Sequence, residues 1–169
     1  KSANATLGMI KRTFITRNKT TLLQLYRALV RPKLEYCVQA WRPFLQRDID
    51  LLEKVQRRAT RLMVDNKTLS YEERLKSLNL TTLETRRLRG DLIETFKILR
   101  KLEGTESSLY FKMSSTGLRG HSLKLYKEQA RLDVRKYFFG HRVVDTWNAL
   151  PETVIGCKNV NTFKIKLDL

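Results

Sequence analysis

Residues that hold metals are scarce in this chain, which has two cysteines and two histidines among 169 residues. Cys37 and Cys157 stand far apart, form no CxxC pair and have only His121 and His141 as companions. Neither a zinc site nor a disulfide framework is expected, and two reduced thiols in an intracellular protein are. Glycine and proline are few as well, seven and three. With 41% hydrophobic residues, that sets the chain apart from disordered and collagen-like sequences and leaves enough apolar surface for a core. No apolar run approaches the ~20 residues that cross a bilayer, and no signal peptide is read at the start. The chain opens on Lys1 with a helical pattern almost at once, and it reads as a segment of a longer protein.

Catalytic carboxylate pairs are also lacking. The seven aspartates include no adjacent pair and no pair flanked by apolar residues, the arrangement that holds two metals for phosphoryl transfer. Asp48 and Asp50 fall at a helix start, where complementing the helix dipole is explanation enough. No GxxxxGK[ST], HExxH or glycine-flanked nucleophile occurs. No cofactor and no catalytic centre are expected in this segment.

What is most clearly short is negative charge. Seventeen acids face thirty-four Lys and Arg, a net charge of +17, more than solubility needs and self-repelling unless a partner neutralises it. The excess is graded: ten cations against three acids in residues 1–50, twelve against seven in 51–100, nine against five in 101–150 and three against two in the remainder. It belongs to the body of the chain and is no detachable tail. Nucleic acid is the default partner. A membrane surface is a weaker one, because the cations are spread over several helices and not gathered in one anchor.

Helical periodicity dominates. Helices are predicted near Ala3–Phe14, Thr21–Trp41 with a bend at Pro32, Asp48–Met63, Tyr71–Leu78, Thr82–Leu102, Val134–Leu150 and Thr162 to the end. Ser70 with Glu73 and Thr81 with Glu84 fit the capping box. Residues 104–120, rich in Gly, Ser and Thr, read as a linker between a helical bundle over 1–103 and a smaller subdomain over 121–169. The alternation SLKLY at 122–126 suggests a short strand, with 109–113 as its partner in a hairpin. The expected fold is therefore mainly α, a helical bundle followed by a smaller helical subdomain with a short β-hairpin.

The helix from Asp48 joins two faces. Leu52, Val55, Ala59 and Leu62 recur at helical spacing, while Lys54, Arg57, Arg58 and Arg61 form a cationic stripe elsewhere on its surface. For one helix a solvated face is the simpler reading. The pattern repeats, however, with Arg86, Arg87, Arg89, Lys97, Arg100 and Lys101 outside the stripe of Leu88, Leu92, Phe96 and Leu99, and with Lys11, Arg12, Arg17 and Lys19 around the first interhelical turn. Acids at matching i+4 positions are too few to pair these cations, which favours phosphate contact. Most aromatics, Tyr26 among them, are assigned to the core, and structural hydrogen bonding is the first reading for His121 and His141.

Six blocks, taken in order, carry a resemblance: LGMIKRTF, LYRALVRPKLEYCVQAW, LEKVQRRATRLM, LSYEERLKSLNLTTLETRRLRGDLIETFKIL, RGHSLKLY and RLDVRKYFFGHRVVDTWNALPETV. Together they resemble the C-terminal part of reverse transcriptases from LINE-type non-LTR retrotransposons of the jockey and chicken-repeat group, over nearly the whole chain. The resemblance implies a polymerase thumb and the extension that follows it. Fingers and palm would lie upstream, and the palm's aromatic-x-Asp-Asp motif, which holds the magnesium ions, is absent here. The implied role is to hold template and primer, or element RNA, beside that active site in the nucleus.

The matching cations are Lys11 and Arg12, Arg31, Arg57, Arg58 and Arg61 with Lys54 beside them, and Arg86, Arg87 and Arg89. Arg119, His121, Arg131, Arg135, Arg142 and Trp147 match the later blocks without an implied role; Arg119, His121 and Arg135 complete the candidate nucleic-acid-binding set. Expected partners are RNA, an RNA–DNA hybrid or duplex DNA, together with the palm and fingers of the parent RNA-directed DNA polymerase. Two other readings stay open: an interaction module docking its basic face on an acidic protein, and an inactive or host-recruited remnant.

Overall fold

The computed structural model describes residues 1–15, 18–64, 68–115 and 120–168. It is mainly helical, as the periodicity predicts. The chain divides into two compact units, one of Lys1–Cys37 with Pro43–Arg87, the other of Val38–Arg42 with Leu88–Leu169. The expected linker at 104–120 thus falls inside the second unit. The reason is packing: Leu92, Phe96 and Ile98 bury themselves among Phe111, Phe139, Trp147 and Phe163, so the later part of that helix belongs to the C-terminal core.

In the first unit α1 (Ser2–Thr13) turns Ala3, Leu7 and Ile10 inward, the i, i+4, i+7 face its sequence predicts. The second predicted helix is a continuous run in three parts: α2 (Lys19–Leu25), a π-helical turn (Tyr26–Val30) and α3 (Arg31–Glu35). Pro32 supplies no N–H and its ring crowds the carbonyl four residues back. The wider turn just before it accommodates this, and the Arg31 N–H reaches the Tyr26 carbonyl five residues back. The run stops at Glu35, short of Trp41, because Tyr36 is extended and Cys37 takes φ 52°.

α4 (Gln46–Met63) buries Val55, Ala59 and Met63. α5 (Tyr71–Ser77) has the expected capping box: Ser70 Oγ accepts from the Glu73 N–H at 3.2 Å and Glu73 Oε2 from the Ser70 N–H at 2.7 Å. Asn79, at φ 48°, closes it by letting the Leu80 N–H return to the Leu75 carbonyl at 2.9 Å. α6 (Leu83–Leu99) begins one residue later than the Thr81–Glu84 pattern suggests. Thr82 is the cap, its Oγ1 accepting from the Thr85 N–H at 3.1 Å.

In the second unit the predicted helix over 134–150 is divided into α7 (Asp133–Lys136), α8 (Phe139–Arg142) and α9 (Val144–Asn148); the extended Phe138 makes the break between the first two. Two further helices follow, α10 (Glu152–Ile155) and α11 (Val160–Leu167). Phe96 stacks on Phe163 with ring centroids 4.3 Å apart, and the buried Trp147 lies 6.1 Å from Phe163.

The expected hairpin is reduced, among the described residues, to one antiparallel bridge between Met113 and Leu125. It is flanked by the Tyr126 N–H to the Lys112 carbonyl at 2.7 Å and the Ser114 N–H to the Lys124 carbonyl at 2.9 Å. The outward backbone of Leu125 is met by a side chain instead of a third strand. Asn148 Oδ1 accepts from its N–H at 2.9 Å and Asn148 Nδ2 donates to its carbonyl at 2.8 Å. Trp147 Nε1 donates to the Leu123 carbonyl at 2.8 Å, so the WNALP block holds the segment that the alternation marks as a strand.

Candidate nucleic-acid interface

In the first unit α1 and α4 frame an open groove of about 450 Å³ lined by Asn4, Leu7, Gly8 and Lys11 from one helix and Arg58, Arg61 and Leu62 from the other. Helical spacing puts Asn4, Gly8 and Lys11 on one side of α1 and Arg58 and Arg61 on the facing side of α4. Lys11, Arg58 and Arg61 are exposed. Arg58 Nη1 donates to Asn4 Oδ1 at 3.1 Å, a neutral partner that orients the guanidinium without cancelling its charge. Among the described residues no carboxylate pairs with any of the three.

Gly8 leaves the groove open. A Cβ there would meet only Arg12 Nη1, at 3.8 Å. Packing therefore does not require glycine at a mid-helix position where it costs about 0.5–1 kcal/mol relative to alanine. The same distance places the exposed Arg12 guanidinium beside the groove. Lys54 and Arg57 are exposed one turn back along α4, and the Arg57 guanidinium lies over the Tyr71 ring, 4.3 Å from its centroid.

The other candidates are held differently. Arg86 grips Glu35 through Nε and Nη2, the latter at 3.1 Å. Arg31 stands 3.9 Å from the same carboxylate, and its buried Nε has no hydrogen-bond partner among the described residues. Burial, reinforced by the Arg86 charge, pulls the Arg31 guanidinium below its ordinary pKa. Arg87 is 2% exposed and donates to the Leu34 carbonyl at 2.8 Å. Arg89 holds Asp168 with two bonds of 2.6 and 2.7 Å.

His121 is buried, with Nε2 3.0 Å from the Trp147 carbonyl and its ring edge-on to that indole. Arg135 is exposed and bonds Glu128 at 2.8 Å. Arg17 and Arg119 lie outside the described residues. Arg87 and His121 thus have the surroundings of structural residues, while Lys11, Arg12, Arg58 and Arg61 converge on open space.

Buried polar residues on the α4 stripe carry no signal in the hydrophobic period. Glu53, 7% exposed, accepts from the Tyr71 hydroxyl, from Gln56 Nε2 at 3.2 Å and from the Leu83 N–H at 3.1 Å, meeting an orphan donor at the start of α6. Gln56, fully buried, also accepts from the Tyr26 hydroxyl at 2.6 Å and donates to the Thr81 carbonyl at 2.9 Å. The one available cue is a Glu and a Gln at i, i+3 beside apolar Leu52 and Val55. Burial pushes both the Tyr26 and Tyr71 hydroxyls well above the ordinary tyrosine pKa, with Glu35 adding to the first and the bond to Glu53 to the second.

Among the described residues no group of three or more His, Cys, Asp or Glu side chains gathers as metal ligands, and no helix is long and apolar enough to cross a membrane. Set against models of known protein families, curated proteins and solved structures, the chain finds no match.

Proposed function

We propose that this chain is a nucleic-acid-binding part of a non-LTR retrotransposon reverse transcriptase, holding an RNA–DNA hybrid, duplex DNA or folded RNA by its phosphates while the parent polymerase does the chemistry. The observation that carries the reading is the α1/α4 groove, where Lys11, Arg58 and Arg61 converge from two helices with no carboxylate among the described residues that line it. Phosphate oxygens are the natural complement of such a site, and backbone contact of this kind confers little sequence preference and steep salt dependence. The family is supported by the six ordered sequence blocks.

Exposed apolar side chains on the same unit, Tyr36, Leu45 and Leu51, are the surface offered to the palm and fingers. The test is a fluorescence anisotropy titration of RNA–DNA hybrid and duplex DNA at two salt concentrations, with an acidic polymer as competitor. Arg58→Glu with Arg61→Glu weakens binding and flattens the salt slope while helicity is retained. Unchanged affinity in a folded double variant refutes the reading, and binding that the polymer abolishes equally well points to an acidic protein partner.

A further inference from the structure

The second unit has a concavity of a different chemistry, about 390 Å³ in volume, with Tyr110, Phe111, Tyr126 and Phe138 among the residues of its wall. Phe111, buried, forms its floor against Phe139, the ring centroids 5.5 Å apart and edge-on. Tyr110 packs 6.0 Å from the same Phe139 ring. Tyr126 and Phe138 stand at the rim about half exposed, at 54% and 50%.

The backbone is fitted closely to hold this arrangement. A Cβ on Gly140 would come within 2.4 Å of the Tyr110 carbonyl oxygen, so only glycine lets the Tyr110 backbone lie against α8.

Cations edge the rings. Lys112 and Arg135 share a single carboxylate, Glu128, at 3.1 and 2.8 Å, and a positive charge is left over. A second concavity of about 380 Å³ adjoins the first, shares Glu128 and His141 with it, and adds Lys127, Arg131 and Lys136. Of these Lys127 is paired with Asp145, and Arg131 and Lys136 are exposed.

Half-exposed aromatic rings beside a basic depression are what an unpaired base and its flanking phosphates require: the base stacks, the backbone meets the cations. A duplex cannot use the slot, because its base faces are already covered by neighbours. An aliphatic peptide would use the rings but leave the cations without a purpose.

We propose that the concavity lined by Tyr126 and Phe138 takes one unstacked base of a single-stranded nucleic acid, with its backbone on the basic depression. This deepens the nucleic-acid reading above and rests on it for the class of ligand, but it concerns a separate site in the second unit.

The experiment uses the whole chain and three labelled probes followed by anisotropy: a short RNA strand, the same strand built with abasic sugars, and an RNA–DNA hybrid. Tyr126→Ala with Phe138→Ala, both on exposed rings, is expected to weaken binding of the RNA strand about tenfold while leaving the abasic strand and the hybrid unchanged. Tyr126→Phe with Phe138→Tyr is expected to restore the parent affinity.

Equal binding of base-bearing and abasic strands by the parent chain overturns the proposal, as does a folded Ala variant that binds the RNA strand as the parent does. An apolar peptide that occupies these rings with no preference between the two strands assigns the slot to a protein partner and overturns it too. Failure of the groove reading is separate, since it shows as hybrid affinity unchanged by Arg58→Glu with Arg61→Glu while the strand preference persists.

Discussion

Arg142 meets Asp91 through two parallel hydrogen bonds, Nε to Oδ2 at 3.0 Å and Nη2 to Oδ1 at 2.9 Å, with the carboxylate completely buried. Arg42 adds a third bond at 3.2 Å, and Arg142 Nη2 also donates to the Val38 carbonyl at 2.8 Å. Within the second unit this cluster joins the 38–42 segment, α6 and α8. The planar guanidinium suits it because one rigid fork serves a carboxylate and a carbonyl together.

Asp91→Ala is therefore expected to cost about 3–5 kcal/mol, since it leaves two guanidinium groups in a buried site without their counter-charge. Arg142→Met combined with Asp91→Leu should recover part of that loss, because the more buried of the two guanidinium groups is then removed with the carboxylate. Urea unfolding followed by far-ultraviolet circular dichroism measures both. A fully tolerated Asp91→Ala would mean that the pair is not an anchor.

The buried hydroxyls of Tyr26 and Tyr71 predict alkaline sensitivity. Their folded-state pKa values lie above the ordinary 10.0, so above pH 10 the unfolded chain releases protons that the folded chain retains. Stability from these groups is fully present below that pH and is lost as pH rises through the folded values. Tyr26→Phe and Tyr71→Phe should each flatten the alkaline fall in melting temperature relative to the parent chain. A parallel fall in all three proteins would refute the assignment.

Gly8 offers a test of the groove that leaves every charge in place. Gly8→Ala should raise stability by about 0.5–1 kcal/mol and leave nucleic-acid affinity as it was, because a methyl group has room there. Gly8→Leu should keep the helix yet weaken binding several-fold by occupying the space between Lys11 and Arg61. Equal affinity in Gly8→Leu and the parent chain would place the phosphates elsewhere.

Arginines that look alike in sequence are expected to separate in their effects. Arg87→Ala should cost about 1–3 kcal/mol through the unpaired Leu34 carbonyl. Arg61→Ala, on an exposed side chain, should stay within about 0.5 kcal/mol in stability and lower affinity for a hybrid. Thermal melts and titrations on the two variants decide it, and an Arg87→Ala protein as stable as the parent would contradict the buried tie.

Much of the fold was legible in the pattern. The apolar face of α1, the stripe on α4 and the Ser70–Glu73 box all follow from spacing and local capping chemistry, which short-range rules capture. Less was legible where distant segments intervene. The Thr82 cap differs from the Thr81 reading because two adjacent threonines are equivalent until Glu53, thirty positions away, is placed at the Leu83 N–H. The break at Phe138 was hidden because Phe139, Val143, Val144 and Trp147 still keep helical spacing. At residues 122–126 the alternation was real, but Asn148 takes the place that a neighbouring strand would have filled.

By itself the sequence determined the helical character, the amphipathic faces and a large excess of positive charge, because each depends on residue type and on spacing within a few turns. Only the tertiary structure decided what the cations do. Glu35 lies 51 positions from Arg86 and Asp168 lies 79 from Arg89, so no local pattern could mark these arginines as paired. Lys11 and Arg61 face one groove because packing of α1 on α4 brings their faces together. Charge is a property of composition, whereas its availability depends on which carboxylates and carbonyls folding places within reach.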